Sequence, residues 1–392
     1  MSSREQLAIV GLGVTDIGRI PGHSGRAFQA EAARLAIEDA GLKPQDIDGA
    51  ILCKLDAARV GVDYADAFPR ILGLPVNFFY SIGRGGATAA LSIVSAAKFL
   101  ELGLAKYVVM SYGVNDWTRS RTSVTGGQPL ADKIGSWGPA VGDLVAVAGH
   151  SMLASRHMYE FGTTEEHLGS VAVSQRQWAL KNPKAAMYGK PLTMQDYLKA
   201  PFLVYPYRMF DMAQISDGGV AFVLTTAERA KDLRKKPVYV MGVGFGEHMQ
   251  QLWWDKQNYT RFAVKTAKEA AFTQAGIGVE DIDVAELYDC FTMEVIIQLE
   301  DYGWCRKGEG GPFVASGAIT PGGKIPVNTG GGLLAAYHLA DFTGFAEAVI
   351  QVRGEAGDRQ VTDAEIALVT GHGGEILKPG MCSIHSSIIM RR

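Results

Sequence analysis

Five polar residues in the second half of the chain follow apolar or glycine-rich runs: Tyr288, Asp289, Tyr337, His338 and His372. A phenol can donate a proton to an enolate or accept one from an alcohol, but its unperturbed pKa of about 10 must fall before it acts as a base at neutral pH. A neighbouring cation or a helix N-terminus could lower that pKa, and the two histidines are the titratable groups to consider for this role. These residue types indicate proton-transfer chemistry.

Each of these residues also has a purely structural interpretation. Tyr288 could be a core residue with a satisfied hydroxyl, and Tyr337 could fill space on a helix of small residues. His372 could cap a strand, and Asp289 could hold its turn. The residue types alone leave both interpretations open.

The composition limits the class of protein. Of 392 residues, 47% are hydrophobic and 20% charged, so the chain can bury a large core of two domains or two fused half-domains. The formal net charge of -3 gives no electrostatic reason to expect nucleic acid or an anionic membrane as a partner. No window reaches about 18 uninterrupted apolar residues. The N-terminus lacks a signal-peptide pattern, so we expect a soluble cytoplasmic protein without a membrane span.

The cysteines give no sign of cross-linking or metal binding. Cys53, Cys290, Cys305 and Cys382 have no CxxC pairing and no regular spacing. This pattern indicates neither a disulfide framework nor a structural zinc site, so we expect reduced thiols, no metal and no cofactor.

The chain contains an internal repeat with a shift of 235 positions, because Gly41 aligns with Gly276. Residues 32–52 read AARLAIEDAGLKPQDIDGAIL, and residues 267–287 read AKEAAFTQAGIGVEDIDVAEL. Each copy predicts an amphipathic helix, a glycine stop, a short turn and a buried strand, and another apolar strand precedes each copy. Strands that alternate with helices predict parallel sheets covered on both faces.

The repeat predicts two α/β halves related by pseudo-symmetry, residues 1–235 and 236–392. A polar, aromatic-rich stretch between about residues 114 and 215 interrupts the first half and predicts an inserted loop domain. Its aromatic residues suit a flat apolar ligand or an ordinary core equally well. These residues are Trp117, Trp137, Trp178, Tyr188, Tyr197, Tyr205 and Tyr207, and Trp253 and Trp254 follow a later strand, outside the segment. Arg156, Arg176 and Lys184 could meet phosphate groups.

Five ordered motifs span the chain: SDGGVAFV (216–223), ELYDCF (286–291), GEGGPF (308–313), PVNTGGGLL (326–334) and GHGGE (371–375). Together with the two-half plan they resemble the thiolase superfamily, and within it the branch of sterol-carrier-protein-x thiolases and lipid-transfer-protein-like enzymes. The resemblance implies the thiolase fold, an α/β fold in which two pseudo-symmetric halves pack as αβαβα layers with an inserted loop domain.

The resemblance places both thiolase cysteines on glycines. The nucleophile position falls on Gly83 and the second cysteine on Gly371, while Ser81 or Cys53 could substitute only in another register. A Claisen condensation or thiolysis needs a nucleophile to carry the acyl group. An aldol cleavage needs instead a base, a site for the enolate and an acid. The missing cysteines are compatible with the second chemistry and not with the first.

Two tyrosines occupy the other family positions. Tyr288 replaces the asparagine or histidine of the oxyanion hole, and Tyr337 replaces the glycine before His338. The resemblance implies that the two phenols converge on one pocket, as in thiolase-like aldolases of steroid side-chain degradation. Catalysis would fall to the two tyrosines, with His338, His372 and Asp289 in support.

Glycine turns could present backbone N–H donors to the thioester oxygen of an acyl-CoA, although tight packing explains glycines equally well. The candidates are Gly83, Gly85, Gly86, Gly331, Gly332 and Gly373.

The activity that the resemblance implies is retro-aldol cleavage of a β-hydroxyacyl-CoA, a steroid side-chain thioester, to a ketone and a short acyl-CoA. Coenzyme A enters only as part of the substrate. Two alternatives stay open: an acetyl-CoA acyltransferase or thiolase with an unusual nucleophile, and a non-catalytic acyl-CoA or lipid-binding subunit. The resemblance further implies a homodimer and a small accessory protein with an OB-fold and a zinc ribbon.

Overall fold

Eleven strands and eleven α-helices lie within residues 7–53, 62–118, 146–247, 260–373 and 384–392, the parts of the chain described in this computed structural model. The strands are β1 (Leu7–Val14), β2 (Gly49–Cys53), β3 (Phe78–Ile82), β4 (Val108–Asn115), β5 (Phe202–Val204), β6 (Tyr207–Arg208), β7 (Asp217–Thr226), β8 (Val238–Glu247), β9 (Val284–Glu286), β10 (Ile366–Gly373) and β11 (Ile384–Arg391). The helices are α1 (Gly25–Asp39), α2 (Val62–Leu72), α3 (Thr88–Glu101), α4 (Ala146–Phe161), α5 (Glu165–Ala179), α6 (Met194–Lys199), α7 (Ala227–Ala230), α8 (Val264–Ala275), α9 (Thr292–Tyr302), α10 (Gly310–Ala315) and α11 (Phe342–Arg353).

Nine strands join in the order β3-β2-β4-β7-β1-β8-β11-β10-β9, and this order has an internal symmetry. Outward from the junction of β1 with β8, the order β1-β7-β4-β2 in the first half corresponds to β8-β11-β10-β9 in the second. A single parallel bridge between Ala285 of β9 and Val327 stands where β3 pairs with β2 in the first half. The exact boundary between the two halves, near residue 235, stays a prediction.

The expectation of parallel sheets is correct for the helix-connected strands and wrong for β7 and β11. β2 is parallel to β3 and β4, and β10 is parallel to β9. β7 is antiparallel to both β4 and β1, and β11 is antiparallel to both β10 and β8. Helical crossovers return the chain in the same direction. β7 instead follows the inserted segment and β11 follows β10 without an intervening described helix, so each enters the sheet from the opposite end.

Three hydrophobic clusters define the layers of the fold. The first packs α1 and α2 on one face of β1, β2, β4 and β7. The second packs α3 and α11 between the strands of the two halves. The third packs α8 and α9 on the far face of β9, β10 and β11. Because alternate strand residues point to opposite faces, each strand contributes to two clusters. The resulting order of layers is αβαβα, as the resemblance implies.

Glycines let a helix lie directly on a strand at equivalent places in the two halves. A Cβ atom on Gly11 of β1 would lie 2.1 Å from the carbonyl oxygen of Ala36, and one on Gly242 of β8 would lie 2.1 Å from that of Ala271. Ala36 and Ala271 are repeat partners, 235 positions apart. The repeat therefore preserves a close approach of helix and strand backbones.

The segment between β4 and β7 contains α4, α5, α6 and the β5-β6 hairpin. Three of its aromatic residues, Trp178, Tyr197 and Tyr207, are buried core residues, whereas Tyr188 and Tyr205 are at least half exposed. The predictions for Trp137, Trp253 and Trp254 fall outside the described residues. Arg156 pairs with Glu160, the buried Arg176 donates to the Lys190 carbonyl, and Lys184 is exposed.

No helix in the described ranges is long and apolar enough to cross a membrane.

Replacing Gly244 by alanine tests the strand-helix approach. A Cβ atom there would lie 1.9 Å from the Ala267 carbonyl oxygen, so β8 or α8 must move. We expect the free energy of unfolding to fall by about 2 kcal/mol or more, as for other overpacked sites. Gly278→Ala is the control, since its Cβ would meet only the flexible Glu280 side chain. Equal denaturant midpoints for the two variants would contradict the prediction.

Candidate active site

Three secondary-structure elements fix the backbone of Tyr288, which follows β9. Its N–H group donates to Thr370 Oγ1 of β10 at 2.8 Å, and its carbonyl oxygen accepts from Gln298 Nε2 of α9 at 2.8 Å. Thr370 Oγ1 in turn donates to Gln298 Oε1 at 2.6 Å. Tyr288 is 9% exposed, so it is largely buried in a rigidly held turn.

Two of the predicted histidines lie beside the Tyr288 ring. The hydroxyl oxygen of Tyr288 lies 3.4 Å from His338 Nε2, a long hydrogen bond of the kind that catalytic groups often show before substrate binds. The ring centroids of Tyr288 and His372 are 5.7 Å apart. His338 is oriented through its backbone, whose N–H donates to Ser216 Oγ at 3.2 Å. The structure thus brings Tyr288, His338 and His372 together.

Gly86 lets the two halves of the chain touch at this point. Its carbonyl oxygen accepts the His372 N–H at 3.0 Å. A Cβ atom on Gly86 would lie 2.0 Å from the His372 carbonyl oxygen and 2.7 Å from the Tyr288 ring. A Cβ atom on Gly371 would lie 2.4 Å from the Gly86 carbonyl oxygen, and one on Gly373 would lie 2.9 Å from its nitrogen. These three glycines are therefore required for packing.

Tyr337 has a different environment from Tyr288. It is buried in the central layer, and its backbone N–H donates to the Gly332 carbonyl. Burial and the nearby Glu347 carboxylate raise the pKa of the Tyr337 phenol above its usual range, although Arg359 opposes this shift. The direction is the opposite of what a general base needs. Convergence of the two phenols on one pocket stays a prediction.

Asp289 joins the two tyrosine-bearing segments. Its carboxylate accepts the N–H groups of Leu333 and Leu334 at 2.8 and 3.3 Å. A Cβ atom on Gly332 would lie 2.1 Å from the same carboxylate. Burial raises the pKa of Asp289 to about 7, although the N–H donors partly offset the shift. These contacts support the structural interpretation of Asp289. They also occupy the N–H groups of Leu333 and Leu334, which directly follow the glycine turn.

The sequence patterns did not predict two residues that lie near this site, Glu294 and His150. Glu294, in the first turn of α9, lies between two histidines: His150 Nδ1 is 2.5 Å from one carboxylate oxygen and His372 Nε2 is 3.2 Å from the other. Burial opposes ionisation of Glu294, but the two imidazoles hold its pKa at about 2. Glu294 lies four residues after Cys290 on the chain, a weak signal, and nothing in the sequence connects it with His150.

Known proteins similar to this chain carry the same fold over its full length. A family model described as "Thiolase C-terminal domain-like" matches residues 246–389. The chain is 35% identical to "17-hydroxy-3-oxo-4-pregnene-20-carboxyl-CoA lyase" of Mycobacterium tuberculosis, over 94% of this chain and 97% of the relative. The chain belongs to the thiolase superfamily. It is also 34% identical to "Steroid side-chain-cleaving aldolase" of Thermomonospora curvata, over 94% of this chain and 95% of the relative.

A solved structure of this superfamily branch extends the comparison to three dimensions. This structure, "Ltp2-ChsH2(DUF35) aldolase", superimposes with a TM-score of 0.87 at 32% identity. The match covers 99% of this chain and 98% of that chain. The resemblance to the sterol-carrier-protein-x and lipid-transfer-protein-like branch is confirmed.

This thiolase-superfamily chain has no accessible thiol at either family cysteine position. Gly83 is exposed at the turn before α3, and Gly371 has no room for a side chain. Burial raises the pKa of the Cys53 thiol to about 12, although Ser92 partly opposes the shift. Burial likewise raises the pKa of Cys305 to about 12. Ser81 is exposed on the edge strand β3.

A cavity of about 530 Å³ adjoins the histidine side of this thiolase-superfamily site. Ser216, which anchors His338, belongs to its wall, together with Trp117, Met187 and Ile215. Arg19 and Lys190 supply positive charge at the same cavity. A larger cavity of about 1010 Å³ lies between α3, β8 and α8. None of the predicted site residues lines either cavity, and only the smaller one reaches a residue that contacts a predicted site residue, through Ser216.

Replacing Asp289 by alanine tests its role as a tether. The variant leaves the N–H groups of Leu333 and Leu334 without their acceptor, and we expect a loss of about 2 kcal/mol or more in unfolding free energy. Asp281→Ala is the control, because Asp281 accepts a single exposed N–H from Gly278. If both variants unfold at the same denaturant concentration, Asp289 is not the tether.

Alkylation of Cys53 tests its exclusion as a nucleophile. A thiol with a pKa of about 12 and no exposed surface stays protonated and inaccessible at pH 8. We expect iodoacetamide to leave Cys53 unmodified in the native protein and to modify it after unfolding, as measured by peptide mass mapping. Rapid native modification at Cys53 would reopen the acyl-enzyme route.

Proposed function

We propose that the protein cleaves a β-hydroxyacyl-CoA by a retro-aldol reaction, and that the acyl group is a steroid side chain. The products are a ketone on the steroid and a short acyl-CoA. The observation that carries this proposal is the 3.4 Å contact between the Tyr288 hydroxyl and His338 Nε2 in a site without a family cysteine. Proton transfer is available there, and neither family cysteine position supplies a thiol to carry an acyl group.

In the proposed reaction, Tyr288 removes the proton of the substrate β-hydroxyl as its own phenolic proton passes to His338. The alcohol oxygen then forms the ketone, and the bond between the α and β carbons breaks. Its electron pair moves into the thioester as an enolate. Protonation of the enolate carbon gives the short acyl-CoA, so atoms and electrons balance without an oxidant or an external nucleophile.

The raised pKa of Tyr337 suits only the acid half of this cycle. A phenol whose pKa lies above its usual range stays protonated at neutral pH and can donate but not abstract a proton. We therefore assign the base role to Tyr288 and the donor role toward the enolate to Tyr337. Two groups with different environments can in this way divide acid and base chemistry.

The cavity beside Ser216 supports binding of a large apolar substrate with an anionic end. Its volume of about 530 Å³ lies within the usual range for ligand sites, roughly 300–1,000 Å³. The Arg19 guanidinium lies over the Trp117 ring, 5.2 Å from its centroid, and Arg19 and Lys190 could meet phosphate oxygens. The names of the two relatives, a steroid carboxyl-CoA lyase and a steroid side-chain aldolase, support the same substrate class.

We also propose that the enzyme works as an assembly. β3 is the last strand at its end of the sheet within the described residues, and Phe78, Phe79 and Ile82 remain partly exposed on it. An apolar edge strand suits pairing with a second copy. The similar solved structure is named as Ltp2 together with ChsH2(DUF35), and this pairing supports a small accessory partner, for which we propose an OB-fold and a zinc ribbon.

The two alternatives make different predictions. An acyltransferase with an unusual nucleophile would form a covalent acyl-enzyme, visible as a mass increase after substrate exposure. A non-catalytic subunit would bind acyl-CoA without turnover. Neither is supported by the buried Cys53 thiol or by the tyrosine-histidine contact.

The test of the proposed activity is incubation with a β-hydroxy steroid acyl-CoA, with and without the accessory protein, while ketone release is measured. We expect Tyr288→Phe to lower kcat by about 10²–10⁴-fold, the usual contribution of a general base. Tyr188→Phe, at a half-exposed tyrosine, is the matched control and should retain full activity. Full activity in Tyr288→Phe would remove the mechanism, and absence of ketone under both conditions would remove the function.

A further inference from the structure

Four potential metal ligands converge beneath the candidate active site. They are His150 of α4, Cys290 in the turn after β9, Glu294 of α9 and His372 of β10. One ligand atom from each lies within 4.8 Å of all the others. Four separate parts of the fold supply them, and the proposed proton transfers use neither His150, Cys290 nor Glu294.

The cluster is buried and walled by aromatic rings. His150, Glu294 and His372 are at most 1% exposed, and Cys290 is half-buried. Phe291 stacks on the His150 ring at 4.5 Å, and Phe262 meets the His372 ring edge-on at the same distance. An ionised carboxylate in such surroundings must be compensated by positive charge. That charge comes either from a proton on an imidazole or from a metal ion.

The composition of the cluster favours a metal ion. Two imidazole nitrogens, one carboxylate oxygen and one thiolate sulfur are a donor set typical of tetrahedral zinc. Bonds of about 2.0–2.3 Å place zinc ligands roughly 3.3–3.8 Å apart, and the ligand atoms here, all within 4.8 Å of one another, must move together by up to about 1 Å to reach that spacing. The 2.5 Å contact between His150 and Glu294 must open by about 1 Å to admit the ion.

A second buried histidine-glutamate pair, His157 with Glu300, differs from the cluster in how the charge of its carboxylate is compensated. His157 Nε2 lies 3.0 Å from Glu300, and both side chains are fully buried. Lys307 Nζ lies 3.0 Å from the same carboxylate and compensates its charge. Around Glu294 a second imidazole and a thiol stand in place of the lysine, and both are groups that can bind a metal ion.

We propose that His150, Cys290, Glu294 and His372 form a structural zinc site. With four protein ligands the site is closed, and it joins α4 of the inserted segment to α9 and β10 of the second half. The proposal does not depend on the activity proposed above, and it reverses the expectation of no metal that the cysteine spacing suggested.

The test begins with the metal content of the full-length protein, purified without chelator, by inductively coupled plasma mass spectrometry. We expect about one zinc ion per chain, and a lower melting temperature after chelation that added zinc restores. Cobalt bound to the apoprotein should give the visible bands of tetrahedral coordination and a thiolate-to-cobalt charge-transfer band.

Variants locate the site. Glu294→Gln should weaken cobalt binding at least tenfold, and Cys290→Ser should remove the charge-transfer band. Glu300→Gln and Cys305→Ser are the matched controls, and both should bind as the unaltered protein does. Circular dichroism shows whether each variant is folded. If a variant does not fold, the cobalt spectrum of the unaltered protein still tests the proposal.

Two results would overturn the proposal. One is a protein that holds no stoichiometric metal and gives no tetrahedral cobalt spectrum, in which case Glu294 is compensated by a protonated histidine. The other is cobalt binding that survives both Glu294→Gln and Cys290→Ser, in which case the metal binds elsewhere.

Discussion

The candidate site depends on a backbone contact between the two halves of the chain. The turn before α3 meets the end of β10 with no side chain between them, since Gly86 accepts the His372 N–H and neither Gly86 nor Gly371 has room for a Cβ atom. Tyr288 fills the space beside this contact, where its ring would touch any side chain on Gly86. The same approach that excludes a cysteine at position 371 therefore holds the phenol in place.

Buried carboxylates secure the segments around this contact. Asp341 accepts the Ala89 N–H at the start of α3 at 2.7 Å, and Asp289 accepts two N–H groups after the glycine turn of the second half. Helix and turn N-termini carry N–H groups that need acceptors when buried. In this protein, side chains of the fold provide them, so these two N-termini are engaged in stabilising the junction of the halves.

The surroundings of the two tyrosines differ because they belong to different layers. Tyr288 lies beside His338 and His372, whereas Tyr337 lies in the central layer near the carboxylate of Glu347. Burial raises the pKa of a phenol, because the charged form loses its hydration. A phenol close to an imidazole, as Tyr288 is to His338, has a partner to which its proton can pass.

The sequence by itself determined the repeat, the layered α/β fold and the superfamily, because helix and strand periodicity and ordered motifs are local properties of the chain. Through the family resemblance it also assigned Tyr288, His338 and His372 to one site. Tertiary structure alone decided the antiparallel direction of β7 and β11, the burial of Tyr337 and the meeting of His150 with Glu294. Those features depend on which face of one element packs against another, and residues 144 positions apart carry no local signal of that contact.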